Sequence, residues 1–198
     1  MTTSEITHFQ SIPWVSHLLD DPSYTSVPIR TRGPSIKLSA DDYFFTRTLN
    51  TPTTISFCLM QFKNPHPGSP IHTPPSEPVH ELRVFFTVGE DVMGPPGSMH
   101  GGATASLLDE CMGLLLTSGG WFKSLFNAEK THFCGPVTAY LNTTYLRRVP
   151  TPGTIVVYAC VKEVVDLRKW KVEAEIRDGE GNVCSRAECL FVKLEAKI

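Results

Sequence analysis

The sequence has no surplus of charge: 18 Lys and Arg stand against 20 Asp and Glu, a formal net charge of −2. A nucleic-acid binder needs a basic excess or stripe to meet phosphates, so that class is set aside. No apolar run reaches the ~18 residues of a membrane-spanning helix. The longest candidate, residues 103–116, is broken by Asp109 and Glu110. None of the six cysteines forms a Cys-x-x-Cys pair, and the nearest two are Cys184 and Cys189. This excludes the spacing of a zinc ribbon or a thioredoxin-type redox pair. A chain of this length with a full core needs no disulfide framework, and no secretory apolar core opens it, so reduced and mostly buried cysteines are expected. Arg and Lys are missing from the first 29 residues, whereas Glu5, Asp20 and Asp21 are present. That is the wrong charge for a mitochondrial transit peptide, and the cytosol is the expected compartment.

What the sequence does contain is 41% hydrophobic residues, enough for one well-packed domain with an extension. Residues 1–42 form the expected extension. It carries a short amphipathic helix around Trp14, Val15, Leu18 and Leu19 that ends before Pro22. Ser39 with Asp41 and Asp42 can start a further turn, since serine caps free N–H groups and acids suit the positive helix end. Residues 43–50 and 55–62 read as strands split by Pro52. Residues 64–80 hold six prolines and three histidines, His66, His72 and His80, and read as an irregular loop. No Cys or acid joins those histidines at ligand spacing, so they are read as solvated and no metal is expected. Residues 82–88 form a strand, and a Gly-Pro-Pro-Gly turn at 94–97 leads into the best helix of the chain, closed by Gly119 and Gly120. After Gly135 four strands follow. In the third, Trp170, Val172, Ala174 and Ile176 alternate with charged residues, and Asp-Gly-Glu-Gly-Asn at 178–182 is hairpin chemistry. The second is apolar on both faces, as a strand covered on both sides would be. The fold class is therefore α+β, a curved antiparallel sheet wrapped on one central helix.

A helix that is apolar almost all round is buried, so its two acids need a reason. At 100° per residue Asp109 shares its face with Gly102, Ala105, Met112 and Leu116, while Glu110 lies beside Ser106 and Thr117. A carboxylate against apolar surface loses hydration and becomes a candidate base. Two readings stay open: Asp109 does chemistry, or it bonds a neighbouring strand. His100, Gly101 and Gly102 open the same helix. Its first turn has free N–H groups and a positive end, and glycine leaves the backbone accessible to a carbonyl oxygen gaining charge. Yet Asp109 lies nine residues beyond His100, roughly 13 Å along the axis. One carbonyl cannot lie against both. Two copies of the helix meeting antiparallel across a twofold axis resolve this, with Gly101 of one chain facing Asp109 of the other. Cys111 has no base spaced to activate it and reads as a small apolar filler.

GPPGSMHGGATASLLDECMG, then TAYLNTTYLRRVPTPG, then DLRKWKVEAEIRDGEGNVCSRAECLFVKL, with FFTRTLN at 44–50, together resemble the hotdog-fold acyl-coenzyme A thioesterases. The likeness runs over about residues 43–195. It is strongest to the branch containing the phenylacetyl-CoA thioesterases and, within it, to the mammalian members with an N-terminal extension. The specific signal is His-Gly-Gly-x6-Asp combined with Thr-x-x-Leu-Asn-x-x-Tyr. The resemblance implies a hotdog domain over 43–198 and hydrolysis of acyl-CoA without a cofactor. It implies at least a homodimer, with a tetramer open. Asp109 would activate water or attack the thioester. His100 and the Gly101 N–H would polarise its carbonyl, beside Gly102, and Thr138 would orient the water or the carboxylate. Thr144 and Arg147 would lie near the pantetheine arm, and Arg168 and Lys169 near the phosphates of coenzyme A. Two departures stand out. No Asn or Gln occurs among residues 94–99 to give a side-chain oxyanion donor, and the aromatic-rich segment 121–133 lengthens the path from Asp109 to Thr138. A hydratase would place a His with an acid in another arrangement, and no second acid has such a spacing. A non-catalytic acyl-CoA-binding protein on the same fold is the alternative, and it could tolerate loss of Asp109.

Overall fold

Alternating strands and one apolar helix become a single antiparallel sheet around that helix. The computed structural model describes residues 3–29, 43–65, 75, 77–121 and 135–193. In chain order the elements are α1 (Thr3–Gln10), α2 (Pro13–Leu19), β1 (Tyr24–Val27), β2 (Ile55–Lys63), β3 (Glu81–Val88), α3 (Gly101–Ser118), β4 (Pro136–Tyr145), β5 (Gly153–Val165), β6 (Lys169–Arg177) and β7 (Val183–Lys193). The sheet order is β1-β2-β3-β5-β6-β7-β4, with every neighbouring pair antiparallel. α3 lies on the inner face, where Leu108, Cys111, Met112 and Leu115 meet Phe86, Ile155, Val157, Trp170 and Phe191 in one core. This is the expected wrapped-helix architecture.

The apolar pattern of each strand follows from what covers it. β2, β3 and β5 carry apolar residues on both faces because α1 and α2 pack on the outer one. Phe9 and Val15, both fully buried, sit there against Leu59, Phe85 and Val156. β6 has no such cover, so its outward positions are charged: Glu173 pairs with Lys162 at 3.3 Å and Lys171 with Glu163 at 2.6 Å. The predicted helix near Trp14 is α2, with Pro13 at its first position, where a missing N–H costs nothing. α1 and β1 went unread, so the extension is more deeply integrated than its sequence suggests: β1 is an edge strand of the main sheet.

Arg83 holds the extension down. It is buried on the outer face of β3. Its Nε donates to Gln61 Oε1 at 2.7 Å and its Nη2 to the Leu18 carbonyl at 2.5 Å, and the guanidinium lies 3.6 Å from the Tyr24 ring centroid. A buried cation is tolerated only when its donors are engaged, and here each named partner does part of that.

One expectation needs correction. Residues 43–50 do not form a strand; Phe44–Thr48 is a π-helical turn closed by the Leu49 N–H donating to the Phe44 carbonyl at 2.8 Å. Aromatic and β-branched residues suit a strand, but Phe45 and Leu49 bury one face of a turn instead. The proposed turn at Ser39 lies outside the described residues, as do His66 and His72 and nearly all of the aromatic-rich 121–133 segment. His80 is exposed and meets Trp121 edge-on, ring centroids 4.9 Å apart. The described cysteines are free, four of them buried and Cys160 partly so.

Candidate active site

α3 begins where the chain is pinned from two sides. The Met99 N–H donates to the Val149 carbonyl and the His100 N–H to the Val92 carbonyl, both at 2.9 Å. Gly97, at φ 72°, closes the preceding turn in the left-handed region that favours glycine. His100 is then the N-cap, and its ring Nδ1 accepts from the Gly102 N–H at 3.0 Å. A ring nitrogen that accepts carries no proton, so the neutral imidazole holds its proton on Nε2 and presents a donor there. With Gly102 engaged, the Gly101 N–H is left at the first helical position, where no intrahelical acceptor exists. The His100 carbonyl of that same peptide accepts from both the Thr104 N–H at 2.9 Å and the Thr104 hydroxyl at 3.2 Å. Two donors on a carbonyl polarise its peptide and strengthen the N–H on the other side.

Two turns further on, Asp109 is half-buried, and Thr138 Oγ1 donates to its Oδ1 at 2.8 Å. Burial raises the Asp109 pKa above the ordinary carboxylate value, and the threonine hydrogen bond opposes the rise. The pairing depends on an irregularity in β4. Tyr145, Thr143 and Leu141 face α3 across from Ser185, Ala187 and Cys189, which in regular alternation would leave Thr138 on the far side. A register break between Thr138 and Tyr140 brings Thr138 opposite inward-facing Phe191. Behind the pair lies Cys189, fully buried, its thiol pushed up to about 12 by burial first and by the Asp109 charge second. Burial likewise raises the Cys111 thiol, which removes the thiolate a nucleophile would need.

α3 runs antiparallel to β4. Its start meets the end of the strand, where the Tyr145 hydroxyl donates to the Gly101 carbonyl at 2.9 Å, and its middle meets the beginning of the strand at Thr138. The structure therefore gathers the predicted residues into two groups: Asp109 with Thr138, and His100 with Gly101 and Gly102. Arg147 lies just past β4, exposed, with its Nη1 donating to the Val183 carbonyl at 3.0 Å. Thr144 faces the outer side of the sheet opposite Arg186, away from both groups. Arg168 and Lys169 are exposed at the β5–β6 turn. They stand beside Trp170, which lies in one cross-strand row with Phe191 and Thr138. Sequence reasoning missed Tyr145 and Cys189 as neighbours of the site. Tyr145 closes the Thr-x-x-Leu-Asn-x-x-Tyr string, and its period-2 spacing from Leu141 and Thr143 carried the signal.

Comparison with known proteins bears on the family and the fold. A sequence model of the thioesterase superfamily matches residues 96–185, from the approach to α3 into β7. Verlamelin biosynthesis protein B of Lecanicillium sp is 31% identical, over 95% of this chain and 87% of that protein. Acyl-coenzyme A thioesterase THEM4 of Xenopus laevis is 30% identical over 87% of this chain, which spans 66% of the THEM4 length. A solved thioesterase superfamily protein superposes with a TM-score of 0.52 and 26% identity, covering 69% of this chain and 54% of that one. The chain belongs to the thioesterase superfamily and has its hotdog fold.

Proposed function

We propose that the chain hydrolyses acyl-coenzyme A thioesters at a site shared by two copies. The observation that carries this reading is the Asp109–Thr138 pair on a helix whose first turn offers an N–H donor, in a chain of this superfamily. Asp109 acts as general base. Burial keeps its proton affinity above that of a solvated carboxylate, and Thr138 orients it. A water oxygen attacks the thioester carbonyl carbon and gives a proton to Asp109. The carbonyl oxygen becomes an oxyanion that accepts from the Gly101 N–H and from His100 Nε2–H, which stands in for the missing Asn or Gln. The intermediate collapses, the C–S bond breaks, and the leaving sulfur takes the proton from Asp109. The products are the free acid and the coenzyme A thiol. A positioned base contributes ~10²–10⁴-fold and one oxyanion donor ~10²–10³-fold.

In one protomer the two groups are separated by more than two helical turns, roughly 12 Å. β4 supplies the resolution, being an edge strand of the sheet. Antiparallel pairing of β4 with its own copy, with Thr138 opposite the partner's Tyr145 and the extra residue Ala139 unpaired, puts the twofold axis at Asn142. That operation brings the partner's Gly101 to Asp109. Arg168 and Lys169, at the end of the Trp170–Phe191–Thr138 row, would meet the coenzyme phosphates. The test is turnover of acetyl-, hexanoyl-, palmitoyl- and phenylacetyl-CoA by wild type and Asp109→Asn. Turnover that falls at least a hundredfold in the variant supports the reading. Unchanged turnover refutes Asp109 as the base, and saturable binding without turnover in both proteins favours the binding module.

A further inference from the structure

The hydrolase reading uses the first turn of α3, whose entry is pinned by the Met99 and His100 N–H groups and closed by the His100 cap, all of them contacts on the N-terminal side of Gly101 or within the turn itself. Its N-terminal glycines lack side chains to pack, and glycine is the residue whose backbone is most costly to order. Tyr145 adds a constraint from β4 on Gly101 itself. Its hydroxyl donates to the Gly101 carbonyl at 2.9 Å. Its ring lies over Gly101 so closely that a Cβ there would stand 3.6 Å from the ring carbons. The Gly101 carbonyl already serves the helix interior, so the tyrosine bond is additional to the helical ladder. Tyr145 is the last residue of β4, the edge strand through which the two copies would pair, and it is 55% exposed in the single chain. A short lever thus runs from the pairing edge to the peptide beside the oxyanion donor.

We propose that Tyr145 is a positioning residue, which fixes the first turn of α3 against β4 and so aims the Gly101 N–H at the carbonyl that the water activated by the partner's Asp109 attacks. The proposal rests on the hydrolase reading. An oxyanion donor acts mainly in the transition state, so misaiming it lowers kcat and leaves substrate binding nearly untouched. Loss of one neutral hydrogen bond sets the lower bound, ~5-fold, and loss of the donor itself sets the upper bound, ~10²–10³-fold.

The experiment compares wild type, Tyr145→Phe, Tyr145→Leu and Asp109→Asn on the best substrate of the four-member CoA panel, with Tm and light-scattering mass for each protein. For Tyr145→Phe the expected result is a kcat lower by about 5–30-fold, KM within twofold, unchanged mass, and a Tm lowered by no more than ~2–4 °C. Tyr145→Leu loses the bond as well as the ring and falls further in kcat. A Phe variant with wild-type kcat, or with a defect confined to KM or proportional to its unfolded fraction, overturns the role of Tyr145. Turnover surviving in Asp109→Asn, or no turnover by wild type on any of the four substrates, overturns the hydrolase reading and this proposal with it. Loss in Asp109→Asn with a wild-type Phe variant overturns the tyrosine proposal alone.

Discussion

Replacing Thr138 by Val removes the hydroxyl that donates to Asp109 at 2.8 Å while keeping the shape of the side chain. The Asp109 pKa is set by burial, which raises it, and by this hydrogen bond, which lowers it. Without the bond only the raising influence remains, so the pKa climbs further. A hydrogen bond to a charged group contributes about 1.5–3 kcal/mol, and each 1.36 kcal/mol is one pH unit. Partial solvent access reduces the effect, so the upward displacement is smaller than the full strength of the bond. A general base must be ionised, and activity therefore rises with pH through the Asp109 pKa. In Thr138→Val the acid limb of kcat/KM against pH should move to higher pH, leaving the plateau lowered by misorientation. Following the loss of thioester absorbance from pH 4 to 9 avoids dependence on thiol ionisation. A limb that stays in place or moves to lower pH would refute the coupling of Thr138 to the base.

Further outcomes follow from the same structure. Because the folded-state pKa of Asp109 is raised, its contribution to stability is greatest below the ordinary value of 3.8 and is lost as pH rises through the raised one. Asp109→Asn should accordingly raise Tm at pH 7 while abolishing turnover, by ~2–4 °C per kcal/mol relieved, as calorimetry would show. Phe9→Ala empties a fully buried site under the extension and should cost about 3 kcal/mol, read from urea unfolding. His8 is stacked on Phe57 at 3.8 Å and bonded to Thr87 Oγ1 at 2.7 Å, and burial lowers its pKa below 6.5. The undocked extension binds a proton first as pH falls through 6.5, so docking weakens on acidification. Trp14 fluorescence should report this, and His8→Phe should remove the dependence on pH.

The central architecture was legible in the sequence because its physical causes are local. The alternation from Lys169 to Arg177 fixed which face of β6 is buried, and the two acids in an apolar helix singled out α3. The doubly apolar β5 also betrayed a second cover, although the sequence did not say what it was. That cover is α1 and α2, and short segments such as α1 carry too little periodicity to declare themselves. The Asp109–Thr138 contact was not legible from alternation, since it depends on a β4 irregularity that turns Thr138 inward. Thr144, close in sequence to the site, faces the opposite side of the sheet for the same period-2 reason that brings Tyr145 in. The Phe44–Thr48 turn was misread because its composition suits a strand and only tertiary burial of Phe45 decides otherwise.

The shared site is tested most directly by complementation. Asp109→Asn and His100→Ala each remove one half of the machinery, and each homodimer should be inactive. Co-expressed with distinct affinity tags, they form mixed dimers in which one of the two sites joins an intact Asp109 to the partner's intact His100. Purified mixed dimers should recover about half of the wild-type kcat per dimer, because one of the two sites is whole. If each site instead lies within a single protomer, the mixed dimers stay as inactive as either parent, and the account of a site completed across β4 is wrong.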